Sequence, residues 1–182
     1  MSVSADPELE HLVAFVNTID LEAGRDEIGT PERLAAWLRG RGMLDRRALV
    51  DGDAHARAVA LREGLRALGR ANNGEGPDAQ DLRDLAAATE GLPLVASLAP
   101  GSAWRLTPRS TGVDAYLGML VATTVRAMAS GEWSRVKACQ NDVCRWLFID
   151  RSRNRSHTWC SMAVCGSRAK SRAYRARRRA TA

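Results

Sequence analysis

The stretch CQNDVCRWLFIDRSRNRSHTWCSMAVC, residues 139–165, contains all four cysteines of the chain. They form two C-x4-C pairs, Cys139 with Cys144 and Cys160 with Cys165, and fifteen residues separate the pairs. A structural zinc site needs four deprotonated ligands in a tetrahedron, and two short loops that each close on a pair of sulfurs can supply them. We therefore predict one structural Zn²⁺ per chain, bound by these four thiolates, with no open position for a catalytic water.

Other interpretations of the four cysteines have to be weighed against zinc. Two disulfides would need an oxidising compartment, but the N-terminal segment MSVSADPELEHLV has neither the basic start nor the apolar run of a signal peptide. Four unrelated buried thiols would not be confined to one window of the chain. An iron–sulfur cluster would use the same four thiolates, although nothing else here indicates electron transfer. Because two matched cysteine pairs are a strong metal signal, we favour zinc.

The spacer between the cysteine pairs predicts a β-hairpin. Trp146 and Phe148 alternate with other residues on one face of a strand, RSRNRS (151–156) has the composition of a turn, and residues 157–159 are expected to return as the second strand. A further short strand at Trp133–Ala138 is expected to lead into this region without a flexible linker. The hairpin would place both cysteine pairs at one end and, with the helix that follows, form a treble-clef-like zinc module.

The sequence after the last cysteine, GSRAKSRAYRARRRATA (166–182), predicts a basic helix. Its arginines recur at i, i+4, i+7 and i+11 from Arg168 to Arg179 and so share one face, and Ser167 is a suitable N-cap. Residues 139–182 carry eleven Lys and Arg against two Asp, a balance of +9 in a chain whose net charge is +6. The remaining residues therefore carry −3. An acidic body with a basic tail is typical of proteins that bind a phosphate backbone.

Basic residues on the predicted turn and on the predicted helix are the candidates for DNA contacts. They are Arg151, Arg153, Arg155, Arg168, Lys170, Arg172, Arg175, Arg178 and Arg179. Four thiolates around zinc carry a formal charge of −2, so we expect Arg145 and Arg168, which adjoin ligands, to compensate the metal centre first. The alternative for the tail is a solvated basic segment with no fixed target.

Residues 1–132 predict a helical domain, and residues 133–182 predict the zinc module, which makes the expected fold class mainly α with a small β-hairpin (α+β). Residues 94–98 and 103–107 are expected to pair as strands around a turn at Pro100-Gly101-Ser102. Apolar spacing, prolines and capping residues predict helices that begin near Pro7, Thr30, Asp53, Leu82 and Thr111.

Three expectations concern the packing of this helical domain. Its last helix is apolar nearly all round and is expected to be buried at the centre, with Met119 and Met128 filling the core. The arginines at helical spacing from Arg57 to Arg70 are expected to form a solvated face. NNGEGPDAQ (72–80) predicts a loop that tolerates disorder or insertion.

Polar residues follow the first helix and form a candidate ligand pocket. Asn17, Thr18 and Asp20 would face a cavity for a small-molecule effector if the domain senses a ligand. The alternative, which we favour, is that they hydrogen-bond the following loop and fix the end of the helix, as such residues ordinarily do.

Two stretches of the chain resemble a known pair of domains. Residues 139–179 resemble the CGNR zinc-finger module in both cysteine pairs, the W-L-F-x-D strand, the S-R-N turn, the W-C-S-M-A-V-C-G run and the basic tail. AFVNTID at 14–20 resembles the start of the helical ABATE domain that precedes this module. The resemblance implies a DNA-binding, stress-related transcription regulator. Two positions depart from the pattern: Ser167 replaces the family's Asn, and His157 occupies a turn position where a basic residue is expected.

The sequence favours a non-enzymatic regulator. It contains no phosphate-binding loop and no nucleophile with a base at a known spacing. The zinc module would bind DNA, and the helical domain would form a homodimer, sense an effector, or do both. The alternative is a zinc-stabilised protein-interaction or RNA-binding module with a basic tail. No apolar run approaches about eighteen residues, so we expect no membrane contact, and a soluble, cytoplasmic bacterial protein fits the composition.

Overall fold

The computed structural model describes residues 6–101 and 103–180, which form six α-helices and three two-stranded antiparallel sheets. A 3₁₀ turn at Trp133–Arg135 and a π-helical turn at Met162–Gly166 connect the later elements. In chain order the elements are α1 (Pro7–Val16), β1 (Ile19–Asp20), β2 (Arg25–Asp26), α2 (Pro31–Arg39), α3 (Gly52–Ala71), α4 (Ala79–Thr89), β3 (Leu94–Ala99), β4 (Ala103–Pro108), α5 (Gly112–Ala129), β5 (Val136–Ala138), β6 (Leu147–Ile149) and α6 (Ser167–Ala180).

The helices begin where local capping predicts. Side-chain oxygens of Asp6, Thr30, Asp51 and Asp78 accept hydrogen bonds from backbone amides in the first turns of α1, α2, α3 and α4. Each cap satisfies an amide that has no partner inside the helix. Proline in the first turn of α1 and α2 fits, because its missing N–H would have no partner there. The predicted helices of the first domain are confirmed, although α4 begins at Ala79, before the predicted Leu82 and within the predicted loop 72–80.

The core of the helical body centres on aromatic side chains from three helices. Phe15 of α1, Trp37 of α2 and Tyr116 of α5 lie with ring centroids 5.6–6.0 Å apart, mostly edge to face. The prediction that α5 is buried all round is wrong on one side. Met119 packs against the core, but Met128 and Val125, near the end of α5, are exposed.

The strands β3 and β4 form the predicted hairpin, in the register Leu94↔Pro108 to Ala99↔Ala103. Of the predicted turn, Ser102 lies outside the described residues. The hairpin packs on α5 at Gly118, where an added Cβ would lie 3.1 Å from Pro108 Cβ, so a larger residue would require Pro108 to shift. Toward the tip the hairpin leaves the body, and Trp104 is 73% exposed.

In the sheet of the zinc module, β6 pairs with a different strand from the predicted one. Strand β6 pairs with β5, in the register Val136↔Ile149 to Ala138↔Leu147, and residues 157–159 form no strand. Thr158 contributes a single backbone bond, accepting from Gln140 N at 3.1 Å. The chain before the first cysteine therefore supplies the second strand, since β5 already lies against the helical body.

The same sheet packs directly on α3 of the helical body. Val136, Ala138 and Leu147 belong to the same buried cluster as the helical core. Gly69 on α3 faces them: a Cβ there would collide with the Leu147 side chain and lie 3.3 Å from Ala138 N. The two predicted domains thus share one hydrophobic core. Across residues 6–101 and 103–180, no helix has the length and apolar character needed to cross a bilayer.

Candidate metal centre and basic surface

The four cysteine sulfurs converge at the end of the β5–β6 sheet. Cys139 directly follows β5, Cys144 lies in the loop before β6, and Cys165 sits in the π-helical turn. All four sulfurs lie within 4.8 Å of one another, with Cys144 Sγ and Cys160 Sγ 3.6 Å apart and Cys160 Sγ and Cys165 Sγ 3.8 Å apart. A disulfide needs about 2.05 Å between its sulfurs, so none of the cysteines is paired.

The sulfur spacing fits zinc. Thiolates at about 2.3 Å from a tetrahedral zinc ion lie about 3.8 Å from one another, which matches the observed separations. Cys139 and Cys165 are buried, while Cys144 and Cys160 are half-buried, so the ion would be shielded from solvent on two sides. The four thiols form a site for one structural zinc ion, with every tetrahedral position taken by sulfur.

Crowding drives the pKa values of these thiols apart. A hydrogen bond from Cys144 lowers the pKa of Cys139 to about 5, and the same contact raises the pKa of Cys144. Burial, together with repulsion from Cys139, raises the pKa of Cys160 to about 12. Ionisation of Cys139 therefore makes the ionisation of Cys144 and Cys160 less favourable. A divalent cation removes this conflict because it stabilises all four thiolates at once, so metal binding releases protons.

A buried asparagine ties the first cysteine loop to the second and to the basic helix. Asn141 is only 1% exposed, and its backbone carbonyl accepts a hydrogen bond from Cys144 N at 2.8 Å. Its Nδ2 donates to Cys165 Sγ at 3.6 Å, and its Oδ1 accepts from Arg172 at 3.1 Å. Arg172 thus supports the metal site through Asn141, because it orients the amide that contacts a ligand sulfur.

The two arginines that adjoin ligands have carboxylate partners. Arg145 donates to Glu75 at 2.6 Å and to Asp142, and Arg168 donates to Glu22 at 2.7 and 2.8 Å. The sequence analysis chose Arg145 and Arg168 because they lie near ligands in the chain. The arginine that acts on Cys165, through Asn141, is instead Arg172, one helical turn after Arg168 on α6.

Ser167 does not cap α6 as predicted. It is the first residue of the helix, and its hydroxyl donates back to Met162 O at 3.3 Å. The side chain of Ser161 instead accepts from Val164 N at 3.3 Å and caps the π-helical turn. The helix therefore continues directly from the second cysteine loop, because the π-helical turn ends at Gly166 and α6 begins at Ser167.

Several of the candidate DNA-contacting residues contact other parts of the protein. Arg151 pairs with Glu10, Arg155 donates to Ser134 Oγ at 2.7 Å, and Arg168 and Arg172 have the partners given above. Arg178 lies over the Tyr174 ring, 6.0 Å from its centroid. The side chains of Arg153, Lys170, Arg175, Arg178 and Arg179 are exposed. From Ser171 to Arg179 every residue of α6 is exposed.

Two further charged residues, which sequence analysis did not single out, lie beneath the arginine-rich loop 151–156. Asp150 is 0% exposed and Lys137 is 5% exposed, and Lys137 Nζ donates to Asp150 Oδ2 at 2.9 Å. Burial alone would raise the pKa of Asp150, but hydrogen bonds from Ser152 and Lys137 outweigh it and hold the pKa below its usual range. The sequence contained a signal for the buried lysine, because Lys137 lies between the apolar residues Val136 and Ala138.

The predicted solvated arginine face of α3 is wrong at two positions. Arg62 is 2% exposed and makes a two-pronged contact with Asp26, at 2.7 and 2.9 Å, as well as a 2.7 Å bond to Glu63. Arg66 is 5% exposed and donates to Glu63, to Val16 O at 2.6 Å and to Arg145 O at 2.9 Å. These side chains link α1, the β1–β2 turn and the first cysteine loop.

Residues 72 and 73, at the start of the predicted loop 72–80, also serve the interface. Asn72 Nδ2 donates to Trp133 O and Val136 O at 2.7 and 2.9 Å, and Asn73 Nδ2 donates to Ala138 O and Thr158 O at 2.8 and 3.0 Å. The end of α3 is thereby fastened to the backbone that carries the metal ligands.

The candidate ligand residues at the end of α1 are hydrogen-bonded within the protein. Asn17 donates to Leu147 O at 2.9 Å and accepts from Leu147 N at 2.8 Å, so it completes the free side of β6. Thr18 donates to Phe15 O, and Asp20 accepts from Ala23 N and Arg25. An effector pocket formed by Asn17, Thr18 and Asp20 stays a prediction.

Comparison with protein families follows the same division of the chain. The family model described as "CGNR zinc finger" matches residues 135–178. The ABATE model, described as "Putative stress-induced transcription regulator", matches residues 10–131. A search of curated proteins found no match. The four-sulfur site and both matches agree with the resemblance drawn from the sequence, and the chain belongs to the ABATE family, with a CGNR zinc finger following the ABATE region.

Proposed function

We propose that this protein is a non-enzymatic, DNA-binding transcription regulator in which zinc is structural and the basic residues of the zinc module contact DNA. The observation that carries the proposal is α6. This helix has seven Lys and Arg and no Asp or Glu over residues 167–180, and its side chains are exposed from Ser171 to Arg179. A surface helix normally mixes charges of both signs, so a helix of one sign is typical of a phosphate-binding element.

The dimensions of α6 suit the major groove. A helix with its side chains is about 10–12 Å across, and the groove of B-DNA is about 12 Å wide. Alanines alternate with the arginines along α6 and leave room for close approach. Arg175, Arg178 and Arg179 would contact phosphates or base edges, while Arg172 is held by Asn141 and would act mainly on the metal centre.

We assign residues 133–182 to DNA contact and residues 1–132 to assembly. One zinc module reaches few base pairs, so useful sequence specificity requires two copies on a repeated half-site, and a homodimer formed through the helical body would supply them. This division rests on the charge distribution, since the eleven basic residues after residue 138 leave the body with a net negative charge.

The test is a titration of the zinc-loaded protein with duplex DNA, structured RNA and an acidic protein at matched salt. We expect preference for duplex DNA and a further preference for one sequence. Arg175→Ala and Arg179→Ala should each flatten the slope of log K against log salt by about 0.9 if the lost contact is to phosphate. Arg105→Ala, which removes an exposed arginine from the β3–β4 hairpin, is the charge-matched control and should leave the slope unchanged.

Equal binding of RNA or of the acidic protein would contradict the proposal and favour the interaction module. Wild-type behaviour of both α6 variants at every salt concentration would show that this helix is not the contact surface.

A further inference from the structure

The arginine-rich loop 151–156 is held rigidly from below by a buried ion pair. Asp150 Oδ1 accepts from Ser152 N at 2.9 Å and from Ser152 Oγ at 2.6 Å, and its Oδ2 accepts from His157 N at 2.9 Å. One carboxylate thus fixes the entry and the exit of the loop. All four of its hydrogen bonds, including the one from Lys137, are made with groups of this module.

Lys137 reaches the same loop from the neighbouring strand β5. Its ammonium group donates to Asp150, to Arg155 O and to His157 O, so each of its three protons has an acceptor. Arg135 adds a second tie, since its guanidinium donates to Asp150 O at 2.9 Å and to Ser152 O at 3.0 Å. Four carbonyls of the loop and its flanks therefore point inward, toward cations of β5 and the turn before it.

The consequence is that the arginine side chains of the loop point outward. Arg151, Arg153 and Arg155 are exposed and alternate with Ser152, whose hydroxyl is turned inward. Arg155 has a φ of 51°, a left-handed conformation that non-glycine residues adopt when the surroundings fix it. Because Lys137 and Asp150 neutralise each other, this ion pair does not offset the arginine charges of the loop, and Arg151 pairs instead with Glu10 of α1.

A buried ion pair is a poor device for stability alone. Removing two charges from water offsets most of their attraction, and well-packed apolar residues in the same place are often equally stable or more so. The pair is better explained by the conformation that it specifies. A loop ordered before binding loses less conformational freedom when it binds, and this favours affinity without any added contact.

We propose that loop 151–156 is a preorganised phosphate-binding prong and that Lys137 and Asp150 are its positioning residues, acting on nucleic acid only through Arg153 and Arg155. This inference rests on the proposed function and adds to it a division of labour: the loop supplies a fixed geometry, and α6 supplies charge. The partner that fits two arginines, Arg153 and Arg155, on one short loop is a phosphodiester backbone, since guanidinium groups bind phosphate oxygens through paired donors.

The test is a double-mutant cycle on the zinc-loaded full chain with duplex DNA. Lys137→Met/Asp150→Leu removes both charges together, so it should keep full zinc content and a melting temperature close to wild type while weakening DNA binding about tenfold. In an Arg153→Ala/Arg155→Ala background the same change should have almost no further effect. In an Arg175→Ala background it should keep its full tenfold effect, because α6 does not depend on the loop.

Hydrogen exchange gives a readout that does not depend on DNA. The amides of Ser152 and His157 should exchange slowly in the wild type and quickly in the paired variant, and Ser152→Ala should give a smaller change in the same direction. A tenfold loss that persists without Arg153 and Arg155, or wild-type binding by the paired variant, would overturn the inference. Failure of the wild type to bind any duplex would instead overturn the proposed function.

Discussion

Two pairs of arginines in this molecule, each four residues apart on a helix, have opposite surroundings. On α3, Arg62 and Arg66 are nearly inaccessible to solvent and hold carboxylates and backbone carbonyls of other elements. On α6, Arg175 and Arg179 are exposed. Helical periodicity places arginines on one face in both cases, so spacing alone does not decide whether the face meets solvent or protein.

The difference lies in which acidic groups surround each pair. Asp26 and Glu63 lie beside the α3 arginines, and burial, which would raise the pKa of Asp26, is outweighed by hydrogen bonding from Arg62, which lowers it. The α6 sequence contains no acidic residue. Arginines with acidic neighbours inside the fold stabilise that fold, whereas Arg175 and Arg179 are exposed and available to an external anion.

The largest expected effect is from removing a metal ligand, because both pairs depend on the metal loops. Cys160→Ala should abolish stoichiometric zinc binding, since a structural site loses about 10–16 kcal/mol of apparent binding energy when it cannot form. With Val136 and Leu147 no longer held in the shared core, the remaining helical body should melt roughly 6–12 °C lower. Elemental analysis and thermal circular dichroism measure the two effects. Ser171→Ala, an exposed α6 position, is the control, and full zinc occupancy in Cys160→Ala would contradict the assignment.

The second effect tests the comparison directly. Arg62→Met keeps the apolar stem but leaves Asp26 and Glu63 without their buried partner, so it should lower the free energy of unfolding by about 3 kcal/mol. Arg175→Ala should change it by less than about 0.5 kcal/mol, because its side chain is exposed. Urea unfolding followed by tryptophan fluorescence gives both values. Equal losses from the two variants would mean that the two pairs do not differ in role.

The smallest effect concerns Arg168, an arginine of α6 that pairs with the body as the α3 arginines do. Its partner Glu22 competes with any phosphate for the same guanidinium. Glu22→Gln should therefore raise affinity for duplex DNA, by up to about fivefold, since an exposed ion pair contributes about 0.2–1 kcal/mol. Glu27→Gln changes net charge equally at an exposed position and is the control. If both variants gain equally, overall charge and not the Arg168 pair is responsible.

Local chemistry predicted much of this structure. The capping residues placed the helix starts, and the cysteine spacing identified the metal ligands, because both signals act over a few residues. The errors have a common cause. The sequence placed Trp146 and Phe148 on one face of a strand, but the buried side chain is that of Leu147, on the other face, since α3 packs there. Burial of Arg62 likewise depends on Asp26, 36 residues away in the chain.

Gly69 limits how readily the helical body or the zinc module could be exchanged for the corresponding part of another protein. The helix and the sheet meet there so closely that an added Cβ would displace the Leu147 side chain and lie 3.3 Å from Ala138 N. A chimera that joined this helical body to another zinc finger would need a matching small residue on one side and a matching leucine position on the other. The sequence boundary near residue 132 therefore does not separate two independently packed units. Recombination would require both faces of the contact at Gly69 to be replaced together.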